Sequence, residues 1–187
     1  MNPMTLCVEP ISVANQQTYD EQPFPLVLQC GTDGASLADT LVWIAAHRDK
    51  LDRQASTHGA ILFRNFPLRS VADFDAFVTS MGYPNFPYDQ SLSNAARVNR
   101  TERVFTANEA PADVTIYLHH EMAQTPIYPS KLLFFCELAP ETGGATPICR
   151  SDVLLQELVE AAPQFVRDCQ TRGLKYTNVM PPEYDLA

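Results

Sequence analysis

The sequence predicts an α+β fold within a single domain spanning residues 1–187, and three observations support this prediction. The chain of 187 residues has 45% hydrophobic and 19% charged side chains, which is enough apolar material for one buried core. Its 15 prolines against 7 glycines favour loop-rich β structure over a helical bundle. Its periodic segments follow the order helix, strand, helix, and several strand-like runs come after them.

Two helices are predicted in the first half of the chain. Ser36 is a natural N-cap, apolar residues follow it at helical spacing, and Gly59 ends the segment. A second amphipathic segment begins after Ser70 and stops at Gly82. Between the two, residues 60–63 are continuously apolar, which is typical of a buried strand.

The second half is predicted to be richer in strands. Residues 83–112 are mostly loop, and the β-branched and aromatic runs after them indicate strands. A helix is predicted to begin with Ser151 as its cap, and another to open with Pro163 and end at Gly173. The predicted strands are 103–106, 114–118, 131–138, 145–148 and 174–179.

Charge and cysteine content exclude several classes of protein. The formal net charge is -9 and no run of Lys or Arg is present, so nucleic acid is not expected as a partner. The five cysteines form no C-x-x-C pair and are expected to be reduced thiols. Because no signal peptide and no membrane-spanning apolar stretch is recognisable, we expect a soluble cytoplasmic protein that binds no membrane.

The tripeptide His119-His120-Glu121 concentrates imidazole and carboxylate groups directly after a strand-like run. In an extended chain residues i and i+2 point to the same side, so His119 and Glu121 can converge while His120 faces away. One imidazole and one carboxylate are two of the three ligands in the facial triad of non-haem Fe(II) oxygenases. Alone, the tripeptide is also compatible with ordinary solvated side chains at a strand end.

Several further segments occur in a fixed order around this tripeptide. They are 59–66 (GAILFRNF), 118–123 (LHHEMA), 128–129 (YP), 132–137 (LLFFCE) and 140–148 (PETGGATPI). Together they resemble the taurine dioxygenase (TauD/TfdA) family over about residues 37–179. This family comprises Fe(II)- and 2-oxoglutarate-dependent oxygenases built on a double-stranded β-helix, or jelly roll.

The resemblance implies roles for three residues. His119 and Glu121 would be the first two ligands of Fe(II), and Thr146 would help to hold the distal carboxylate of 2-oxoglutarate. Gly143 and Gly144 are expected to form a structural turn. Since related halogenases replace the carboxylate ligand, Glu121 favours hydroxylation or desaturation of a small organic substrate with dioxygen, for example an amino acid or a natural-product intermediate.

Other residues are weaker candidates. His47 and His58 are expected to be solvated or capping side chains of the first helix. Arg150 is expected to begin the next loop, and the alternative is that it faces the pocket. Contacts to substrate are conceivable for Thr106, Asn108 and Tyr117. Five phenylalanines are expected in the core, at positions 63, 74, 77, 134 and 135.

The family pattern also requires a later histidine and an arginine that binds 2-oxoglutarate. The four histidines lie at positions 47, 58, 119 and 120, so none follows the motif, and the arginines at 150, 167 and 172 come too early. We therefore expect an incomplete jelly roll from a truncated enzyme that is inactive alone. The alternatives are a catalytically inactive homologue that binds or regulates a partner, and an enzyme completed by a complementing chain or a homo-oligomer.

Overall fold

The computed structural model describes residues 4–86, 97–107, 111, 114–123 and 125–177. Within these ranges the strands are β1 (Val8–Ile11), β2 (Gln17–Tyr19), β3 (Gln22–Phe24), β4 (Leu26–Cys30) and β5 (Ile61–Arg64). The helices are α1 (Leu37–His58), α2 (Val71–Met81), α3 (Ser151–Ala161) and α4 (Pro163–Arg172). Among these residues, no helix has the length and apolar character that a membrane span requires.

A three-stranded sheet has β4 at its centre. β1 pairs antiparallel with β4, with Val8 opposite Cys30, and β5 pairs parallel with β4, with Leu26 opposite Ile61. Parallel neighbours need a crossover connection, and α1 supplies it between β4 and β5. β2 and β3 form a separate two-stranded hairpin.

Helices α1 and α2 close the core on this sheet. The core side chains come from β4, α1 and α2, and Ile44 is fully buried at 0% exposure. Burying each such side chain contributes about 1.5–3 kcal/mol relative to leaving it in water. The buried cluster consists of Leu26, Leu28, Ile44, Leu51, Phe77 and Met81.

The predicted limits of α1 and α2 are confirmed. Ser36 and Asp39 form a reciprocal capping box at the start of α1, and Ser70 and Asp73 do the same for α2. Gly82 follows α2 in the left-handed conformation that a C-terminal glycine adopts readily. These signals are local in sequence, which is why they could be read directly. Gly59 after α1, Pro163 and Gly173 around α4, and the strand at 61–64 also agree with the prediction.

The predicted strands of the second half are not formed. Residues 114–118, 131–138, 145–148 and 174–177 have no ladder partner among the described residues, and residues 103–106 contribute only the single bridge Asn99–Phe105. Residues 178 and 179 lie outside the described part. A strand needs a neighbour for its backbone hydrogen bonds, so β propensity alone cannot produce one. The described elements therefore do not make a double-stranded β-helix.

The chain divides into two compact units. The first unit comprises Met1–Ile116 and Pro129–Gly144, and it contains the sheet, the hairpin, α1 and α2. The second unit comprises Tyr117–Tyr128 and Ala145–Ala187, with α3 and α4.

In the first unit, one carboxylate oxygen joins three segments. Asp52 Oδ1 on α1 lies 2.7 Å from Lys131 Nζ and accepts a hydrogen bond of 2.9 Å from the Tyr83 hydroxyl. Lys131 Nζ also lies 5.0 Å from the centre of the Tyr83 ring. Lys131 and Tyr83 lower the pKa of Asp52, whereas burial and Asp52 raise the pKa of Tyr83 to about 12. Segment 129–144 is thereby attached to α1.

The Asp52 carboxylate should stabilise the fold in a pH-dependent way. Because its folded pKa lies below the ordinary value of 3.8, its contribution is complete above that value and is lost as the pH falls through the lowered pKa. Asp52→Asn should lower the free energy of unfolding at pH 7, and the difference from wild type should shrink in acid. Urea denaturation from pH 7 down to pH 3 measures this. Asp49→Asn, at an exposed site of α1, is the matched control, and an equal deficit of Asp52→Asn at all pH values would contradict the assignment.

At the predicted Gly143-Gly144 turn, the chain bends at residues 141 and 142, and the two glycines differ in their surroundings. Both have positive φ, 68° and 66°. A Cβ at Gly144 would lie 2.5 Å from Pro140 Cγ, whereas a Cβ at Gly143 would meet nothing within 4 Å. Only Gly144 therefore combines backbone constraint with close packing.

Substituting each glycine by alanine should separate these two effects. Gly143→Ala should cost about 1–2 kcal/mol through the left-handed backbone alone. Gly144→Ala should cost at least about 1 kcal/mol more, because the proline ring has to move. Chemical denaturation of the two variants measures the difference, and equal losses would show that the Pro140 contact is unimportant.

Candidate functional site

The backbone fixes the tautomer of His119. Its Nδ1 lies 2.6 Å from the carbonyl oxygen of Tyr117, and since a carbonyl only accepts, Nδ1 carries the proton and donates it. Nε2 is then the nitrogen with a lone pair. Metal-ligating histidines are commonly oriented by such a hydrogen bond from the second ring nitrogen. His119 is also exposed, so Nε2 is accessible to an ion.

Glu121 stands at the start of a turn. Residues 117–120 before it have no helical or turn structure. Glu121 is half-buried, and Met122, the next residue, is 3% exposed with φ at 58°. The carboxylate therefore stands at the beginning of a turn whose next side chain is buried.

His120 is attached to the start of α3. Its Nε2 lies 2.6 Å from Ser151 Oγ, although the two residues are 31 positions apart. The prediction that Ser151 caps this helix is wrong, because Arg150 occupies the N-cap position and makes no side-chain cap bond. Ser151 is the first helical residue, and its hydroxyl is directed to His120 instead. No feature of the sequence pairs these two residues.

Thr146 lies in the same compact unit as His119 and Glu121. It is exposed and lies between Gly144 and the start of α3, in a segment without helical or strand structure. All three residues predicted for the site thus belong to the second unit. Arg150 forms a two-point ion pair with Asp152, with distances of 2.7 and 2.5 Å, and lowers the Asp152 pKa to about 2. Arg150 thus stands at the N-cap of α3, where the start of a loop was predicted.

The remaining histidines lie on α1 in the first unit. His47 donates from Nδ1 to the carbonyl of Trp43 at 2.7 Å, and His58 donates likewise to the carbonyl of Pro23 at 2.9 Å. His47 and Asp49 share the H-x-[DE] spacing of the candidate site, a parallel that the sequence interpretation overlooked. Residues two apart on a helix do not face each other, so this pair cannot chelate an ion.

The predicted aromatic core is mostly confirmed. Phe74 and Phe77 are buried, Phe63 packs edge-on against Phe77, and Phe135 stacks on Phe74 at 5.3 Å. Phe134 is the exception, with 70% of its surface exposed. Because neighbouring residues of an extended segment point to opposite sides, burying Phe135 turns Phe134 outwards. These side chains, with Asn65, line a cleft of about 170 Å³ in the first unit.

The weaker substrate candidates have other contacts. Thr106 Oγ1 accepts a hydrogen bond of 2.9 Å from the Val98 amide. Tyr117 is 80% exposed, and the part of it that serves the site is its backbone carbonyl. Asn108 lies outside the described residues.

The donor set fits two positions of a facial iron site. His119 offers a neutral imidazole with a fixed tautomer, and Glu121 offers a carboxylate two residues later. Among the described residues, no group of three or more His, Cys, Asp or Glu side chains is arranged to hold a metal ion. His119 and Glu121 stay the predicted ligands, and a facial triad requires a third.

Comparison with known proteins identifies the family of the chain. Residues 22–185 match the taurine catabolism dioxygenase TauD, TfdA family. A clavaminate synthase-like protein of Arabidopsis thaliana is 37% identical over 178 residues, covering 92% of this chain and 53% of that protein. Dapdiamide synthesis protein DdaC of Enterobacter agglomerans is 28% identical over 153 residues, covering 82% of this chain and 45% of that protein. The chain spans about half the length of these relatives, and it belongs to the TauD/TfdA family of dioxygenases.

Proposed function

We propose that this chain carries part of the active site of a non-haem Fe(II)- and 2-oxoglutarate-dependent dioxygenase. His119 and Glu121 are the first two protein ligands of Fe(II), and Thr146 binds 2-oxoglutarate. The reaction is the hydroxylation or desaturation of a small organic substrate. The observation that carries this proposal is the hydrogen bond from His119 Nδ1 to the Tyr117 carbonyl, because it presents Nε2 as a metal ligand.

Each of the three residues has a defined task in this proposal. His119 Nε2 gives its lone pair, and the Glu121 carboxylate gives a negative oxygen ligand. The Thr146 hydroxyl donates a hydrogen bond to the distal carboxylate of 2-oxoglutarate. Bound Fe(II) would supply the redox chemistry with 2-oxoglutarate and dioxygen, and the protein's part is to hold and orient the reactants.

The third ligand and the arginine that binds 2-oxoglutarate come, in this proposal, from polypeptide other than these 187 residues. Two observations support this. His47 and His58 donate hydrogen bonds to main-chain carbonyls of the first unit, and His120 is hydrogen-bonded to Ser151. The two relatives are about twice as long as the chain. The missing groups could stand on a continuation of this chain or on a complementing one. Reading the gene beyond the Ala187 codon distinguishes these two sources.

The ligand assignment predicts different effects at three adjacent positions. In a protein that contains the third ligand, His119→Ala or Glu121→Ala should abolish substrate-dependent formation of succinate from 2-oxoglutarate. His120→Ala should have a much smaller effect, because its side chain points away from the ion. A succinate assay with Fe(II) and ascorbate measures this. Equal loss in all three variants would contradict the assignment, and so would His119-dependent turnover by the 187-residue chain alone.

The role of Thr146 predicts a change in co-substrate affinity. A hydrogen bond to a charged group contributes about 1.5–3 kcal/mol. Thr146→Val should therefore raise the KM for 2-oxoglutarate roughly ten- to a hundredfold, with metal binding unchanged. Thr171→Val is a matched control, since the Thr171 hydroxyl bonds only to the carbonyl of Arg167 within α4. An unchanged KM in Thr146→Val would remove Thr146 from the binding site.

A further inference from the structure

The middle residue of the proposed metal motif contacts a distant element of the second unit. His120 Nε2 and Ser151 Oγ are 2.6 Å apart, a short hydrogen bond between the ligand segment and the first turn of α3. Both side chains are exposed, so the bond does not serve to satisfy a buried polar group. Its effect is to fix the position of the residue between the two proposed ligands.

The backbone converts this bond into control of the ligands. His119 and His120 are consecutive residues of a segment without helical or turn structure, so their side chains leave neighbouring Cα atoms. Holding His120 therefore limits rotation of the backbone about its own axis, and this rotation sets the direction of His119. On the other side of Glu121, the buried Met122 holds the following turn. Glu121 is thus placed between two anchored neighbours.

The same bond connects the two parts of the proposed site. Residues 145–150 lead from Thr146 into α3, and Ser151 is the first residue of that helix. A bond from His120 to Ser151 therefore joins the segment with the metal ligands to the segment with the 2-oxoglutarate-binding hydroxyl. Both segments belong to the second unit.

We infer that His120 and Ser151 are positioning residues, which orient His119 and Glu121 toward the metal without binding it. This inference rests on the proposed function, since it requires His119 and Glu121 to be ligands. Groups that orient metal ligands typically change metal affinity by 10–100-fold when removed. His120 acts through the backbone and not on a ligand atom, so we expect about 3–10-fold.

Co(II) titration of the 187-residue chain, followed by NMR of its imidazole signals, tests this inference. The chain has four histidines, so His47 and His58 serve as internal references for nonspecific effects. Ser151→Ala and His120→Ala should each raise the apparent Kd for Co(II) at His119 about 3–10-fold, and the double variant should be no worse than either single variant. Ser151→Thr and His120→Gln, which keep a hydroxyl and a terminal N–H, should restore affinity. Thr171→Val should leave affinity unchanged.

The outcomes separate this inference from the ligand assignment. If His119→Ala and Glu121→Ala abolish Co(II) binding but Ser151→Ala leaves the Kd within twofold of wild type, the positioning role is wrong and the ligand assignment stands. If Co(II) does not affect the His119 signals, or binds equally without Glu121, both are wrong. A loss of affinity accompanied by a lower Tm, and not rescued by Ser151→Thr, would show a structural role only and would also overturn the inference.

Discussion

The burial of β4 is the constraint on which the first unit depends. Four of its five residues are buried, with Leu26 and Leu28 in the cluster formed with α1 and α2 and Val27 at 0% exposure. A strand that is buried to this extent is typically central, and β1 and β5 flank it. The parallel pairing with β5 in turn requires the long crossover through α1. Asp52 lies on that same helix and holds segment 129–144 through its ion pair with Lys131.

Local signals explain which elements of the fold could be predicted. Ser36, Gly59, Ser70 and Gly82 act within a few residues of where they stand, and the structure agrees with the helix limits that they predicted. The strands before α1 escaped prediction because they are only three to five residues long and carry interrupting prolines such as Pro10 and Pro23. Conversely, residues 114–118 have strand propensity but no partner in the described part of the chain. Pairing is a non-local property, and a sequence pattern does not supply it.

The same distinction applies to the candidate site. The convergence of His119 and Glu121 stays a prediction, which rests only on the two-residue period of an extended chain. The tautomer of His119 depends on the Tyr117 carbonyl, a main-chain atom without any sequence signature. The hydrogen bond between Ser151 and His120 was harder still to predict, because the two residues are 31 positions apart. In addition, a serine at the start of a helix indicated an N-cap. His47 and Asp49 show that backbone geometry decides whether an H-x-[DE] pair can bind one ion. On α1, the two side chains of this pair point in different directions.

The proposed ligand pair also determines how the site can be completed. A histidine and a carboxylate from one tripeptide would hold an ion from one side only, so the remaining protein ligand would have to approach from another segment. Metal binding would then depend on the packing of that segment against the residues around His119. The inferred role of the bond between His120 and Ser151 precedes this stage, because the bond lies within the second unit and would act on the direction of both proposed ligands.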